Sequence, residues 1–574
     1  MTDPYVVEWI KQTDVMNTGG NDVNPTIATD SDGLYVTYTT NGTVSGGVPS
    51  GSNDIVVMKM NKDGSVAWIK QTALMNTAQS DYQPSIAADS DGLYVTYMTL
   101  GTVSGGVLSG GLDIVVMRMN KDGSVAWIQQ TALMNTGGYN QAPTIAADSD
   151  SLYVTYNTSG TVSGGINSNR SVDIVVMKMN KTDGSVVWIQ QTALMNTAGN
   201  DVNSIIAADS TGLYVTYSTD GTVSGGVRSG TSDIVVMKMN KTDGSVVWIQ
   251  QTELMNTGGN DVNPTVAADS NGVYVTYSTP GTVSGGVQSG FPVYDMVVMR
   301  LDNTNGSVVW IKQTALMNTA ENDFNPRNAY DSTGLYVTYQ TGGTVSGGVQ
   351  SGSNDIVVMR MNKTDGSVAW IQQTAVMNTG GNEFQQSIAA DSDSLYITYY
   401  TTGTVSGGVL SGSGTTDIVV MRMRDPLSIC LLEGTLVRTP TGSVPIELVK
   451  KGDYVLNQHY NPVRVLLTSK RTFQYKENPT NKFDMDNALY TLPAGTLGAT
   501  SNVYLTRHHK FLTSDGTMKK PEEYGLKRSK LSEFSRTNNL YSVYHLRLED
   551  CYNNHFIVNG DCIVEDWWDR LNLI

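Results

Sequence analysis

The first 429 residues contain no cysteine, and the first 458 contain no histidine. Disulfides therefore cannot hold this long N-terminal stretch together. Thiol and imidazole groups are likewise excluded from it as metal ligands or catalysts. No apolar run approaches the roughly 20 residues of a membrane-spanning helix. The opening, MTDPYVVEWIKQT, lacks the basic start and apolar stretch of a secretory signal, so none is expected. Basic side chains are also few at first. Residues 1–429 hold 19 Lys and Arg against 37 Asp and Glu, whereas the remainder holds 18 against 16. That acidity argues against nucleic acid and anionic membranes as partners, and otherwise serves solubility.

What is present is repetition. Tryptophans at 9, 68, 127, 188, 248, 310 and 370 lie 59 to 62 residues apart, and each opens W-I-[KQ]-Q-T. Three more phrases recur seven times. A Tyr-Val-Thr-Tyr strand starts at Leu34, Leu93, Leu152, Leu213, Val273, Leu335 and Leu395. GTVSGG starts at Gly42, Gly101, Gly160, Gly221, Gly281, Gly343 and Gly403. D-[IM]-V-V-M starts at Asp54, Asp113, Asp173, Asp233, Asp295, Asp355 and Asp417. Each phrase is short and β-rich, and Gly, Asn, Asp and Ser clusters separate them as turns. NKDGSV and NKTDGSV place Asp-Gly between apolar runs, a hairpin signal. Each unit thus offers four strands, typified by PTIAAD, GLYVTYTT, DIVVMKMN and SVAWIQQT. Four strands repeated radially make a propeller blade. The chain begins on a fourth-strand phrase, VVEWIKQT, and its last repeat stops after a third, DIVVMRM. Pairing the two closes a ring of seven blades and removes two free edges. The units resemble SBBP-type propeller repeats, as in WIQQTALMNTAGNDVNSIIAADSTGLYVTYST. The resemblance implies a fold and names no ligand.

Candidate chemistry in the ring is thin. Asp-Ser-Asp-Gly loops, with Asp30 and Asp32, Asp89 and Asp91, or Asp148 and Asp150, raise calcium. The competing reading is a tight turn in which Asp caps the backbone, and Thr211, Asn271 and Thr333 replace the second acid elsewhere. The Gly-Asn-Asp loop keeps an acid in six units (Asp22, Asp81, Asp201, Asp261, Asp323 and Glu383), with Gln141 as the exception. A bracing hydrogen bond to backbone is favoured over a functional ring of carboxylates. The clearest departures from the repeat fall between GTVSGG and D-[IM]-V-V-M, where Arg170, Arg228, Phe291 and Tyr294 stand out. Loops of this kind bind partners more often than they catalyse. A protein or glycan ligand is the expected partner, and no other cofactor is implied.

After Met423 the repeats stop. The next block, CLLEGTLVRTPTGSVPIELVKKGDYVLN, runs from Cys430 to Asn457. LTRHHKFLTSDG follows, with Thr506-x-x-His509, and VYHLRLEDCYNNHFIVNGDCIVEDW ends the series. Together these resemble the Hint domain shared by hedgehog autoprocessing domains and inteins. The resemblance implies attack by Cys430 on the carbonyl of Ile429, an N-to-S acyl shift, with His509 as proton donor and Thr506 holding the scissile peptide. Water or a small nucleophile would then open the thioester. Inteins end in His-Asn. Here the stretch reads Val564-Glu565-Asp566, so one-sided processing at Cys430 is expected rather than splicing.

The expected chain is all-β: a seven-bladed propeller over 1–424, a linker over 425–429, a Hint domain over 430–566 and a tail over 567–574. The leading reading is a binding or structural module released by a self-cleaving domain. The alternative is a structural or adhesion protein, of a cell surface or virion, with an inactive Hint domain. Autoprocessing would be a single-turnover event, and no turnover enzyme is expected in the propeller.

Overall fold

A computed structural model describes residues 5–167, 171–290, 292–391 and 394–424. In the C-terminal region it describes 431–450, 452–457, 459–474, 489–497, 499–506, 511–512, 518–519, 524, 526, 540–548, 556–559 and 562–564. The larger compact unit spans Trp9–Met423, and the smaller is built on Arg424–Ile574. No helix among the described residues is long and apolar enough to cross a membrane.

The chain opens on β1 (Val6–Lys11), followed by β2 (Asp22–Thr29), β3 (Leu34–Thr40), β4 (Asp54–Met60) and β5 (Val66–Lys70). Strands β2 to β5 form one antiparallel sheet, in that order. Five more sheets repeat it, and the seventh joins Glu383–Ala390, Ser394–Thr401 and Asp417–Arg424 to β1. The fold is a seven-bladed β-propeller closed by its own first strand.

The two middle strands explain the sequence texture. Every residue of β3 is buried, and so is nearly every residue of β4. Neighbouring blades cover both faces of each sheet, so these strands read as continuous apolar runs rather than alternating ones. Tyr35, Ile55 and Val57 of the first blade pack with Leu93, Val115 and Met117 of the second. The second tyrosine of each unit satisfies its hydroxyl inside that core: Tyr38 donates to Met16 O at 2.6 Å and Tyr97 to Met75 O at 2.5 Å. At the rim, Trp68 Nε1 donates to Lys121 O of the next blade at 3.0 Å. The hairpin glycine Gly64 has φ 84°, and a Cβ there would lie 2.9 Å from the Trp9 ring. Glycine is thus required for both the turn and the seam.

The glutamine of W-I-x-Q-T ties each blade together. Gln71 Nε2 donates to Gly42 O (3.0 Å) and Asp54 Oδ2 (2.9 Å), while its Oε1 accepts from Val44 N (3.0 Å). Gln12, just after β1, makes the same three bonds in the last blade, to Gly403 O (3.0 Å), Asp417 Oδ2 (3.1 Å) and Val405 N (2.9 Å). Asn17 exchanges two more with the backbone of Ile418. The ring is closed by the bonds that build each single blade.

The innermost strands share a β-bulge. Pairing of β2 with β3 skips from Val23 to Thr26, and Asn24 sits at φ 55°. The same left-handed position is Asn203, Asn263 and Asn325, Gln83 and Gln385, and Ala142 in the third blade. Asn tolerates this region and Ala does not. Ala142→Asn should therefore raise stability by about 0.5–1 kcal/mol. The check is the midpoint of urea unfolding; an unchanged midpoint contradicts the strain.

Among the described residues, the smaller unit holds two six-stranded sheets. One runs in the order Tyr454–Leu456, Pro462–Gln474, Leu540–Leu548, Leu431–Leu432, Val503–Thr506, Leu489–Leu492. The other runs Gly442–Pro445, Leu436–Thr439, Phe556–Val558, Cys562–Val564, Phe511–Leu512, Met518–Lys519. Leu431, Val437, Ile446, Val455, Val503 and Val558 share its core.

Candidate functional site

In the smaller unit, Ile429, Cys430 and His509 lie outside the described residues. Their chain neighbours are described. Leu431, immediately after Cys430, is fully buried and pairs with Leu505 on one side and Tyr544 on the other. Thr506, immediately after Leu505, pairs with Leu489 at the end of its strand. The segment behind Leu431 is braced by its own polar groups. Gly434 N donates to Glu447 Oε2 at 2.8 Å, Thr435 Oγ1 to Leu432 O at 2.6 Å, and Lys450 N to Asp453 Oδ2 at 2.8 Å.

Asn559 was not singled out in the sequence, yet it joins three segments. Its Oδ1 accepts from Leu436 N at 2.7 Å, and its Nδ2 donates to Asn502 O at 2.8 Å. It is buried, with φ 44°. The available signal was Asn559-Gly560, a turn dipeptide whose Asn favours this conformation.

Of the four loop residues, Arg170 and Phe291 lie outside the described residues. Arg228 is exposed and folds back on its own loop, donating to Gly230 O (2.9 Å) and Thr231 O (3.0 Å). Tyr294 links to the next blade: its N donates to Asn322 Oδ1 at 3.0 Å and its O accepts from Asp323 N at 2.7 Å.

The acid expected in the Gly-Asn-Asp loop opens the innermost strand instead. Asp22 pairs with Thr40, is fully buried, and accepts from Thr18 N at 2.7 Å and Thr18 Oγ1 at 3.1 Å. The exception is Asn140, not Gln141: Asn140 pairs with Thr158, and Gln141 occupies the position of Val23. Burial pushes Asp22, Asp81, Asp201 and Asp261 up to about 6. It pushes Asp323 and Glu383 up to about 7, against the hydrogen bonds that hold them down. The folded state therefore keeps these protons at a pH where the unfolded chain has lost them, so stability falls as pH rises from about 4 to 7. Asp148 and Asp269, whose values are lowered, titrate below that window. Asn140 shows that an amide fits, accepting from Thr136 Oγ1 at 2.9 Å and Thr158 Oγ1 at 2.8 Å. Asp323→Asn should flatten the slope between pH 5 and 8 and stabilise at pH 8. The gain should be about 1–2 kcal/mol, because a tenfold change in proton affinity is worth about 1.4 kcal/mol and the bond from the Thr319 amide is lost. Thermal unfolding across that range is the check, and a variant with the native slope contradicts it.

In the Asp-Ser-Asp-Gly loops, the first carboxylate faces a lysine. Asp30 caps its turn, accepting from Asp32 N (2.7 Å) and Gly33 N (3.2 Å), and pairs with Lys121 of the next blade. Lys241–Asp148, Lys363–Asp269 and Lys62–Asp391 repeat the pair at 2.8 Å. No cluster of three or more His, Cys, Asp or Glu suited to a metal occurs among the described residues.

The innermost strands enclose a cavity of about 440 Å³ on the propeller axis, lined from all seven blades. One lining position is Thr26, Ser85, Thr144, Ile205, Thr265 and Ser387 in six blades, and Arg327 in the sixth. The next is Ile or Val in six blades and Asn328 in the sixth. Arg327 Nη1 donates to the carbonyl of its own neighbour, Pro326, at 2.8 Å. Desolvation lowers its pKa. The change of chemistry on the axis thus lies outside the loops that stand out in the sequence. It lies in PRNAYD, which occupies the place of PTIAAD.

Residues 429–526 match the family model described as Hint domain, so a Hint domain occupies the C-terminal region. No curated protein matches the chain. Among solved structures, the chain is similar to a bacterial intein-like domain from Clostridium thermocellum, at 18% identity and TM-score 0.18, covering 24% of this chain and 96% of that one. It is also similar to the phage phi92 endosialidase, at 12% identity and TM-score 0.34, covering 72% and 69%. A third is a subtype N11 neuraminidase-like protein of influenza A from a flat-faced bat, at 10% identity and TM-score 0.36, covering 72% and 89%. At these TM-scores nothing about binding or catalysis follows.

Proposed function

We propose that the chain cuts itself between Ile429 and Cys430 and so releases the propeller. The Cys430 thiolate adds to the Ile429 carbonyl carbon, forming a C–S bond. The C–N bond of the scissile peptide then breaks, and the His509 imidazolium gives its proton to the departing Cys430 nitrogen. Thr506 holds the scissile peptide. Water or a thiol next attacks the thioester, the C–S bond breaks and the cysteine sulfur regains a proton. The propeller is the cargo, a binding or structural module of SBBP-type repeats.

The observation that carries this reading is the pairing of Leu431. It ties the residue after Cys430 into the middle of a sheet, against the strand that ends at Thr506. A nucleophile and a peptide-holding hydroxyl gain from such a rigid support. The domain's match to the Hint family supplies the reaction class. Intact mass of the purified chain with and without added thiol tests it. A fragment ending at Ile429 supports it. A chain that stays whole under every thiol and hydroxylamine condition sinks it and favours the structural reading.

A further inference from the structure

We propose that the axial cavity of the propeller binds a small organic monocarboxylate through Arg327. The inference is independent of cleavage at Cys430. Among the described residues that line the cavity, Arg327 alone carries charge. It has no acidic partner among them, and one of its five N–H groups is used, on its own backbone. A part-buried guanidinium without a counter-charge costs the fold stability. Six blades avoid that cost with Thr, Ser or Ile at the same position. The lowered pKa of Arg327 reflects the same desolvation.

The neighbouring change points the same way. Asn328 replaces an aliphatic residue of the blade core, and its amide is held at both ends. Its Oδ1 accepts from Thr265 Oγ1 at 3.2 Å, and its Nδ2 donates to Tyr274 O at 3.1 Å. Asn263 Nδ2 donates across the same seam to Asn325 Oδ1 at 2.9 Å. The fifth and sixth blades are thus pinned together on either side of Arg327, whose guanidinium keeps four N–H groups not spent on its own backbone. A carboxylate accepts two parallel N–H bonds from such a fork.

The occupant's charge follows from the lining. One cation neutralises one negative charge, and no second cation is there among the described residues for a dianion. The net acidity of residues 1–429 disfavours higher charge further. The hydroxyls and amides around the ring, interleaved with prolines, suit an uncharged polar body. A volume near 440 Å³ fits a small organic acid.

The test uses the full chain, calorimetric titration and thermal unfolding, with acetate, gluconate, glucose and inorganic phosphate as probes. Gluconate should bind one to one and raise the propeller transition by about 2 °C at concentrations well above its Kd, with acetate weaker and glucose inert. Arg327→Thr, the residue of three other blades, should bind gluconate at least tenfold more weakly and melt higher than the native chain without ligand. Arg327→Lys keeps the charge but loses the fork, and should fall between. Three results would each overturn the proposal. They are no response to either carboxylate, phosphate binding as tightly as gluconate, and an Arg327→Thr chain that binds like the native one or melts lower.

Discussion

Cys430→Ala should leave the chain whole under conditions where the native protein yields a fragment ending at Ile429. The substitution removes the sole nucleophile of the proposed acyl shift, so cleavage should fall by on the order of 10³-fold or more. Because Leu431 next door is already buried and paired on both edges, the loss of one sulfur should not unfold the domain. Hydroxylamine sharpens the measurement, since it converts a thioester to a hydroxamate whose mass marks Ile429. His509→Ala should slow the step by about 10²–10⁴-fold, the usual worth of a positioned proton donor. Ile429→Gly should speed it, because a β-branched residue crowds its own carbonyl. Cleavage that persists at native rate in Cys430→Ala is the outcome that sinks the mechanism.

Gln12→Ala should destabilise the propeller by about 3–5 kcal/mol. Alanine there strands the Gly403 carbonyl and the Val405 amide and takes from the Asp417 carboxylate its side-chain donor, leaving it the Ser411 amide. Burial already raises the pKa of Asp417, and losing its donor raises it further. Gln71→Ala breaks the same three bonds inside a blade whose strands are consecutive in the chain. The two variants should therefore lose similar stability in global unfolding but differ in local opening. Only Gln12→Ala should expose β1 to proteolysis at denaturant concentrations where the remaining blades stay folded. Equal protease resistance of the two would show that the seam is no weaker than any blade.

The ring and its closure were legible because every blade repeats the same Trp, Tyr, Gly and Asp markers at the same spacing. The Gln of W-I-x-Q-T was visible too, but its role was not. Its three partners lie well upstream in six blades, as Gly42, Val44 and Asp54 do for Gln71, and near the other end of the propeller in the seventh. The misplacement of Gln141 has a physical cause. Asn140 reads as the Asn of Gly-Asn-Asp and so displaces the match by one residue, whereas the strand fixes the position four residues before the lining Thr, Asp22 before Thr26 and Asn140 before Thr144. Arg327 is inconspicuous because PRNAYD keeps the length of PTIAAD and changes only its chemistry, whereas changes of loop length stand out. In the smaller unit, the proposed roles of Cys430, Thr506 and His509 rest on motif text, whereas the Asn559-Gly560 dipeptide signals a turn and not the three backbone partners that Asn559 joins.

A ring closed by its own first strand also sets a clock. Strand β1 leaves the ribosome before every other strand of the propeller, yet its partner, Asp417–Arg424, follows roughly 400 residues later. At about 5–20 residues per second, β1 waits on the order of 20–80 seconds with both edges open. Near-identical blades offer it wrong partners throughout that interval, because the third strand of any unfinished blade presents the same D-[IM]-V-V-M edge. Each such edge is covered within seconds by the unit's own fourth strand. The last repeat alone has none, so the order of synthesis steers β1 to its place.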